Sequence, residues 1–161
     1  MAATETGRMW IELQVASSFA AATEAVFALA VDAERFPSLF RGFGPIPALR
    51  RISLHGPLAV GVRRDVEGED GVVMLETVTA LEPGRRHGYT LSRLRPPLSW
   101  LVRVGHADWT FAPRDGGTEV TWRYRFELTS PLVWPIAAPL LHVFMRGAMQ
   151  RCLQAMAPAR G

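Results

Sequence analysis

The stretch Val120-Thr-Trp122-Arg-Tyr124-Arg-Phe126-Glu-Leu128 decides the fold. Val120, Trp122, Tyr124, Phe126 and Leu128 take every second position, with Thr121, Arg123, Arg125 and Glu127 between them. Successive side chains of a strand point to opposite faces, so this is a strand with one covered and one wet face. Just upstream, Arg114-Asp-Gly-Gly117 is a turn signal. The residues before it alternate in the same way, with Gly105, Ala107, Trp109 and Phe111 on one face and His106 and Asp108 on the other. The two segments form a hairpin whose aromatic faces align.

Working back from that hairpin, strands are expected over 99–112 and 118–129, and before them over 86–94, 72–82, 60–66 and 46–54. Gly and Pro signals separate them at His55-Gly-Pro, Glu67-Gly, Pro83-Gly and Pro96-Pro97. Six consecutive strands with short connections are an antiparallel meander. Near the N-terminus, Met9, Ile11, Leu13 and Val15 alternate with Trp10, Glu12 and Gln14, giving a further strand over 8–17. After it, Ala22, Val26, Phe27 and Ala30 recur at helical spacing behind Ser18 as the cap, and a second short helix over Asp32–Phe40 is broken at Pro37.

Beyond Pro131 the pattern becomes helical again. Leu141, Met145, Met149, Cys152 and Met156 make an apolar stripe at spacings of three and four, which predicts a closing helix over 131–157. Pro135 and Pro139 cannot donate to a helical ladder, so its first part should be bent or irregular. An antiparallel sheet can leave one face to water, and this helix is the natural cover for the other. The reading is α+β: strand, two short helices, six-stranded meander, long C-terminal helix over a curved sheet. One domain is expected over 8–157, with 1–7 disordered or extended and 158–161 a tail.

This order is the helix-grip arrangement, and particular residues carry it further. They are Val26-Phe-Ala-Leu-Ala-Val-Asp32, Arg35-Phe-Pro37, Glu76-Thr-Val-Thr-Ala-Leu-Glu-Pro-Gly84, Trp109-Thr-Phe-Ala-Pro113 and Gly117-Thr-Glu-Val-Thr-Trp122. The chain resembles the START and Bet v 1-like (SRPBCC) superfamily, in its bacterial polyketide cyclase/dehydrase-like group, from residue 8 to about 157. That resemblance implies a deep apolar cavity, and either carriage of a hydrophobic small molecule (a lipid, polyketide or isoprenoid) or an aromatase/cyclase acting in the same cavity. A partner-binding regulatory module is the third class the superfamily permits, and no motif here points to it. Fold analogy does not establish chemistry.

Composition narrows the classes. The chain has 161 residues, 48% hydrophobic and 20% charged, with dispersed Gly and Pro, which excludes disordered and collagen-like classes. All 18 basic residues are Arg against 15 acids, and the doublets Arg50-Arg51, Arg63-Arg64 and Arg85-Arg86 are spread out, which reads as a solvated face with no nucleic-acid partner. The lone Cys152 and four scattered His assemble no structural zinc site, and no metal or cofactor is expected. A free thiol and an N-terminus without an apolar run before Glu5 suit the cytoplasm. The apolar run Pro131–Met145 is too short for the ~20 residues of a membrane span, so stable insertion is not expected.

The aromatic face is either a packed core or a cavity wall, and the resemblance implies the cavity. Its ligand-binding residues would be Met74, Tyr89, Trp109, Phe111, Trp122, Tyr124, Phe126, Leu141 and Met145. Tyr124 brings one hydroxyl among apolar neighbours, either to orient a ligand or to bond a backbone carbonyl. Arg103 shares the Trp109 face if no bulge intervenes and would then be a polar anchor at the mouth; otherwise it is a surface Arg. Nothing local supplies a Ser-His or Cys-His arrangement. The catalytic candidates are His142 on the closing helix, Tyr124, and Glu76, which points inward with Met74 unless an edge or bulge turns it out. His106 and Asp108 read as cross-strand partners of Arg123 and Arg125, and Cys152 as an inert core thiol. Asp65-Val-Glu-Gly-Glu-Asp-Gly71 imitates a calcium loop but has Asp70 where that loop needs Gly, and Gly42-Phe-Gly44 lacks the rest of a nucleotide loop.

Overall fold

The computed structural model describes residues 2–5 and 8–157. Its strands are β1 (Ala2–Glu5), β2 (Arg8–Phe19), β3 (Leu49–Leu54), β4 (Arg63–Gly68), β5 (Val73–Glu82), β6 (Arg86–Ser92), β7 (Val102–Arg114) and β8 (Gly117–Leu128). They form one antiparallel sheet in the order β1-β2-β8-β7-β6-β5-β4-β3. β2 thus lies beside the last strand, β8, and β1 is an edge strand that the alternation did not reveal. Residues 158–161, expected as a tail, lie outside the described residues.

Ser18 does not cap a helix. β2 runs on to Phe19, which pairs with Thr118, and the Thr118 hydroxyl donates to the Ala21 carbonyl at 2.7 Å. Helix α1 (Thr23–Val31) begins beyond that anchor with Ala22 at its N-cap and no side-chain cap. The expected 32–40 helix shrinks to α2 (Phe36–Leu39), because Asp32 Oδ1 accepts the backbone N–H groups of Glu34 at 2.9 Å and Arg35 at 3.1 Å and holds a turn of its own. Pro37 sits in the first turn, where its missing N–H costs nothing. The strand expected from residue 99 starts at Val102, since Leu98–Trp100 winds into a 3-10 turn.

The aromatic register is as the alternation requires. Trp109 lies directly opposite Trp122, their rings stacked with centroids 4.2 Å apart, and Val120, Trp122, Tyr124, Phe126 and Leu128 are all buried. α1 and α2 close one end of this face by edge-on contacts, Phe27 with Phe111 and Phe36 with Trp109. The closing helix is continuous but irregular: a 3-10 turn (Pro131–Val133), α3 (Trp134–Pro139), a π turn (Leu140–Met145) and α4 (Arg146–Met156). At 26 residues it is long and apolar enough to cross a membrane, unlike the shorter run seen in the sequence. Here it packs on the sheet, with Leu141, Met149, Cys152, Leu153 and Met156 buried.

Gly105 makes room for the stack above it. Tyr124 and Phe126 lie ring on ring at 4.4 Å, and a Cβ at residue 105 would sit 2.7 Å from the Tyr124 ring and 3.1 Å from that of Phe126. Aromatic rings held between strand and helix cannot rotate away, so Gly105→Ala should destabilise the fold by about 1–3 kcal/mol, read as a lowered Tm in thermal unfolding. An unchanged Tm would show that the stack has slack.

Candidate functional site

The inner face is not filled everywhere. Between the sheet and the closing helix lies a cavity of about 250 Å³. Its sheet wall is Val66 of β4, Met74 and Glu76 of β5, Tyr89 and Leu91 of β6, and Trp122, Tyr124 and Phe126 of β8. The helix contributes Leu140, Leu141 and Met145, all within the π turn, and α2 with the loop after it contributes Phe36, Phe40 and Ile46. Pro45, Asp70, Arg95, Pro96 and Pro97 are lining residues that are also exposed, and they mark the mouth.

Almost all of this wall is apolar, and apart from Asp70 and Arg95 at the mouth its polar groups gather at one place. Arg64 on β4 is directly opposite Glu76 on β5, both pointing inward, and Arg64 Nη2 donates to Glu76 Oε1 at 2.7 Å. Arg64 is 4% exposed, so the Arg63-Arg64 doublet is not a solvated face; only Arg63 is wet. The guanidinium lies 3.5 Å from His87 Nε2 and sits over the Tyr89 ring, 5.1 Å from its centre. Trp109 Nε1 donates to the Tyr89 hydroxyl at 3.5 Å, and Tyr89 meets Tyr124 edge-on. The Tyr124 hydroxyl and Glu76 Oε2 take no hydrogen bond among the described residues.

Burial governs how these groups titrate. It raises Glu76 above the usual carboxylate range, against the Arg64 charge and hydrogen bond that pull it down. His87 is pushed down to about 3, by burial first and the Arg64 charge second, with the Ala80 backbone opposing. It is therefore neutral at physiological pH. Burial also raises the Tyr89 and Tyr124 phenols, so both remain protonated donors, and pushes the Cys152 thiol up to about 12, which leaves it inert.

Met74, Tyr89, Trp122, Tyr124, Phe126, Leu141 and Met145 line the cavity, and Glu76 points into it. Trp109 and Phe111 do not. They are on the inner face but lie behind the cavity, packed on Phe27, Phe36 and Trp122 as core. Arg103 is on the outer face, because a register shift between Val102 and Val104 reverses the alternation at that point. Its Nε lies 3.3 Å from Glu127 Oε2. His142 is half-buried on the helix and outside the cavity lining. On the outer face His106 and Asp108 stand opposite Arg125 and Arg123, and the ion pair to Asp108 comes from Arg86 at 2.8 Å. Arg64, expected on a solvated face, and His87, to which the sequence assigned no role, both point inward, as the alternations Arg64-Val66-Gly68 and His87-Tyr89-Leu91 require. Their charge and polarity masked a period that was present.

The family described as polyketide cyclase/dehydrase and lipid transport matches residues 11–159. The chain belongs to that family. Solved structures with the same fold include norcoclaurine synthase from Thalictrum flavum in truncated form, at 13% identity and a TM-score of 0.73, covering 98% of this chain and 97% of that one. Ara h 8.0201 is 16% identical with a TM-score of 0.68, covering 93% of this chain and 97% of that one. The di-domain ARO/CYC StfQ of the steffimycin biosynthetic pathway is 16% identical with a TM-score of 0.72, covering 92% of this chain and 50% of that one. No curated protein matches this member of the polyketide cyclase/dehydrase family. At such identities the structures share a fold alone.

The buried histidine gives a pH prediction. Its affinity for a proton is ordinary in the unfolded chain, near 6.5, and depressed in the folded one. Its contribution to stability is complete above about pH 6.5 and is lost as pH falls toward about 3, at up to ~1.4 kcal/mol per pH unit. His87→Gln should flatten the stability profile over that window in denaturant titrations. An equally steep profile in the variant would assign the slope to other groups.

Proposed function

We propose that the protein binds and carries a hydrophobic small molecule in the cavity between the sheet and the closing helix, its polar end against Glu76 and Tyr124. The observation that carries this reading is an apolar enclosure in which one carboxyl oxygen, one phenol and the Trp122 indole N–H lack partners among the described residues, which is the arrangement of a site that orients a mostly apolar guest. At about 250 Å³ the space is below the ~300–1,000 Å³ of drug-sized sites, which favours a compact ring system or a short isoprenoid over a two-chain lipid. A cytoplasmic setting fits the free thiol of Cys152.

Aromatase/cyclase chemistry is the second reading, supported by the same two groups. Glu76, with its raised affinity for a proton, and the Tyr124 phenol would move protons on a folded polyketide. His142 and Cys152 take no part in either reading.

An environment-sensitive apolar dye tests the site. Its affinity should fall about tenfold in Trp122→Ala, through lost contact area, and change little in His142→Ala. Trp122 also supports the core, so Met145→Trp, which fills the cavity from the helix side, is the second variant and should exclude the dye. Dye binding unchanged by Met145→Trp would sink the cavity reading. If Tyr124→Phe or Glu76→Gln abolishes turnover of a polyketide thioester while dye affinity is kept, the protein is a cyclase.

A further inference from the structure

The closing helix has a second apolar face, and it points away from the sheet. Leu132, Ile136 and Val143 are 88%, 65% and 53% exposed, and the exposed Pro139 lies between the last two. Only 33% of the most apolar 18-residue window of this helix is buried. Trp134 is 41% exposed in the same first turns. Trp100, 68% exposed, adjoins the helix start: the Thr129 hydroxyl donates to the Trp100 carbonyl at 2.7 Å, and Ser130 caps the turn that carries Leu132.

Charge is distributed unevenly around this patch. Residues 93–101 and 128–145, the two segments that carry it, contain no Asp or Glu, and their arginines are Arg93 and Arg95. Other exposed Arg divide: Arg50, Arg86 and Arg103 face Glu67, Asp108 and Glu127, while Arg35, Arg41, Arg51, Arg63 and Arg85 make no ion pair among the described residues. Arg93 and Arg95, in the loop that leads to Trp100, have no carboxylate partner among the described residues. Asp70 is the acid at the cavity mouth, where it accepts the Val72 N–H. Arg95, Pro96, Pro97, Leu98 and Leu101 line the cavity, so patch and mouth share one loop.

We propose that this face docks the protein reversibly on an anionic lipid bilayer, with Trp100, Leu132 and Ile136 entering the headgroup region and Arg93 and Arg95 meeting the lipid charge. Exposed Trp and aliphatic side chains beside unmatched Arg, in segments free of acids, suit the amphipathic and negative membrane surface. A protein partner would have to supply acids of its own, and a second copy would bring Arg against Arg. The inference goes beyond ligand binding and does not depend on it, though it would place the mouth beside a source of apolar guests.

Flotation of the full chain with vesicles tests it. Binding to equal parts phosphatidylglycerol and phosphatidylcholine is expected, with about tenfold less on phosphatidylcholine alone and a marked fall when salt is raised from about 50 to about 500 mM. The double variant Leu132→Ser, Ile136→Ser and the double variant Arg93→Glu, Arg95→Glu should each lose about tenfold in vesicle binding. The serine pair should keep its Tm and its dye affinity in the cavity, so that loss of docking and loss of the pocket are told apart. Absence of flotation, equal binding to neutral vesicles, or a concentration-dependent dimer that the serine pair dissolves would each overturn the proposal.

Discussion

The stack of Trp109 on Trp122 across the β7–β8 hairpin is the contact on which the rest is built. A strand can pair in many registers, but a slip of one residue would turn every aromatic of β8 to water and every Arg inward. The register is fixed from the turn as well. Asp115 and Gly116 take positive φ values of 47° and 80°, and Gly117 approaches β2 so closely that a Cβ there would lie 2.1 Å from the Phe19 carbonyl oxygen. Turn chemistry and aromatic burial therefore select the same pairing, and β2 is added to the edge they define.

From that register the division between core and cavity follows. Near the turn, α1 and α2 bring Phe27 and Phe36 edge-on to Phe111 and Trp109, and aromatic volume fills the space. Further along the same strands Gly105 has no side chain, Tyr124 and Phe126 stack over it, and the helix above passes through Pro139 and a π turn. No side chain large enough to fill the gap is offered from either side there. The cavity is thus where the supply of aromatic volume ends, and the wall it leaves is made of the same residue types as the core.

The buried ion pair works differently. Removing Arg64 and Glu76 from water is costly, and a pair of this kind is weak evidence for stability, since apolar residues of like volume often serve as well. What it does provide is a fixed polar corner. Arg64 holds one oxygen of Glu76, approaches neutral His87 and lies over Tyr89, which leaves the other oxygen of Glu76 and the Tyr124 phenol as the groups a guest would meet. The outer face of the sheet uses Arg in the ordinary way, as with Arg50 and Glu67 or Arg86 and Asp108, where each solvated pair contributes little.

Alternation along β2, β7 and β8, the turn residues and the stripe from Leu141 to Met156 were enough to place the strands, their inward faces and the closing helix, because each is a local pattern whose period the backbone imposes. The seven cavity-lining residues among those expected were legible for that reason. Three kinds of information were not local. The bulge at Val102–Val104 that turns Arg103 outward depends on how β7 meets β8. Whether an inward aromatic is core or cavity wall, the difference between Trp109 and Trp122, depends on what α1, α2 and the helix bring against it. The inward pairing of Arg64 with Glu76 needs two strands in register, since a charge is read from sequence as wet until a partner is seen. Sequence period determines which way a side chain points, and only tertiary packing determines what it finds there.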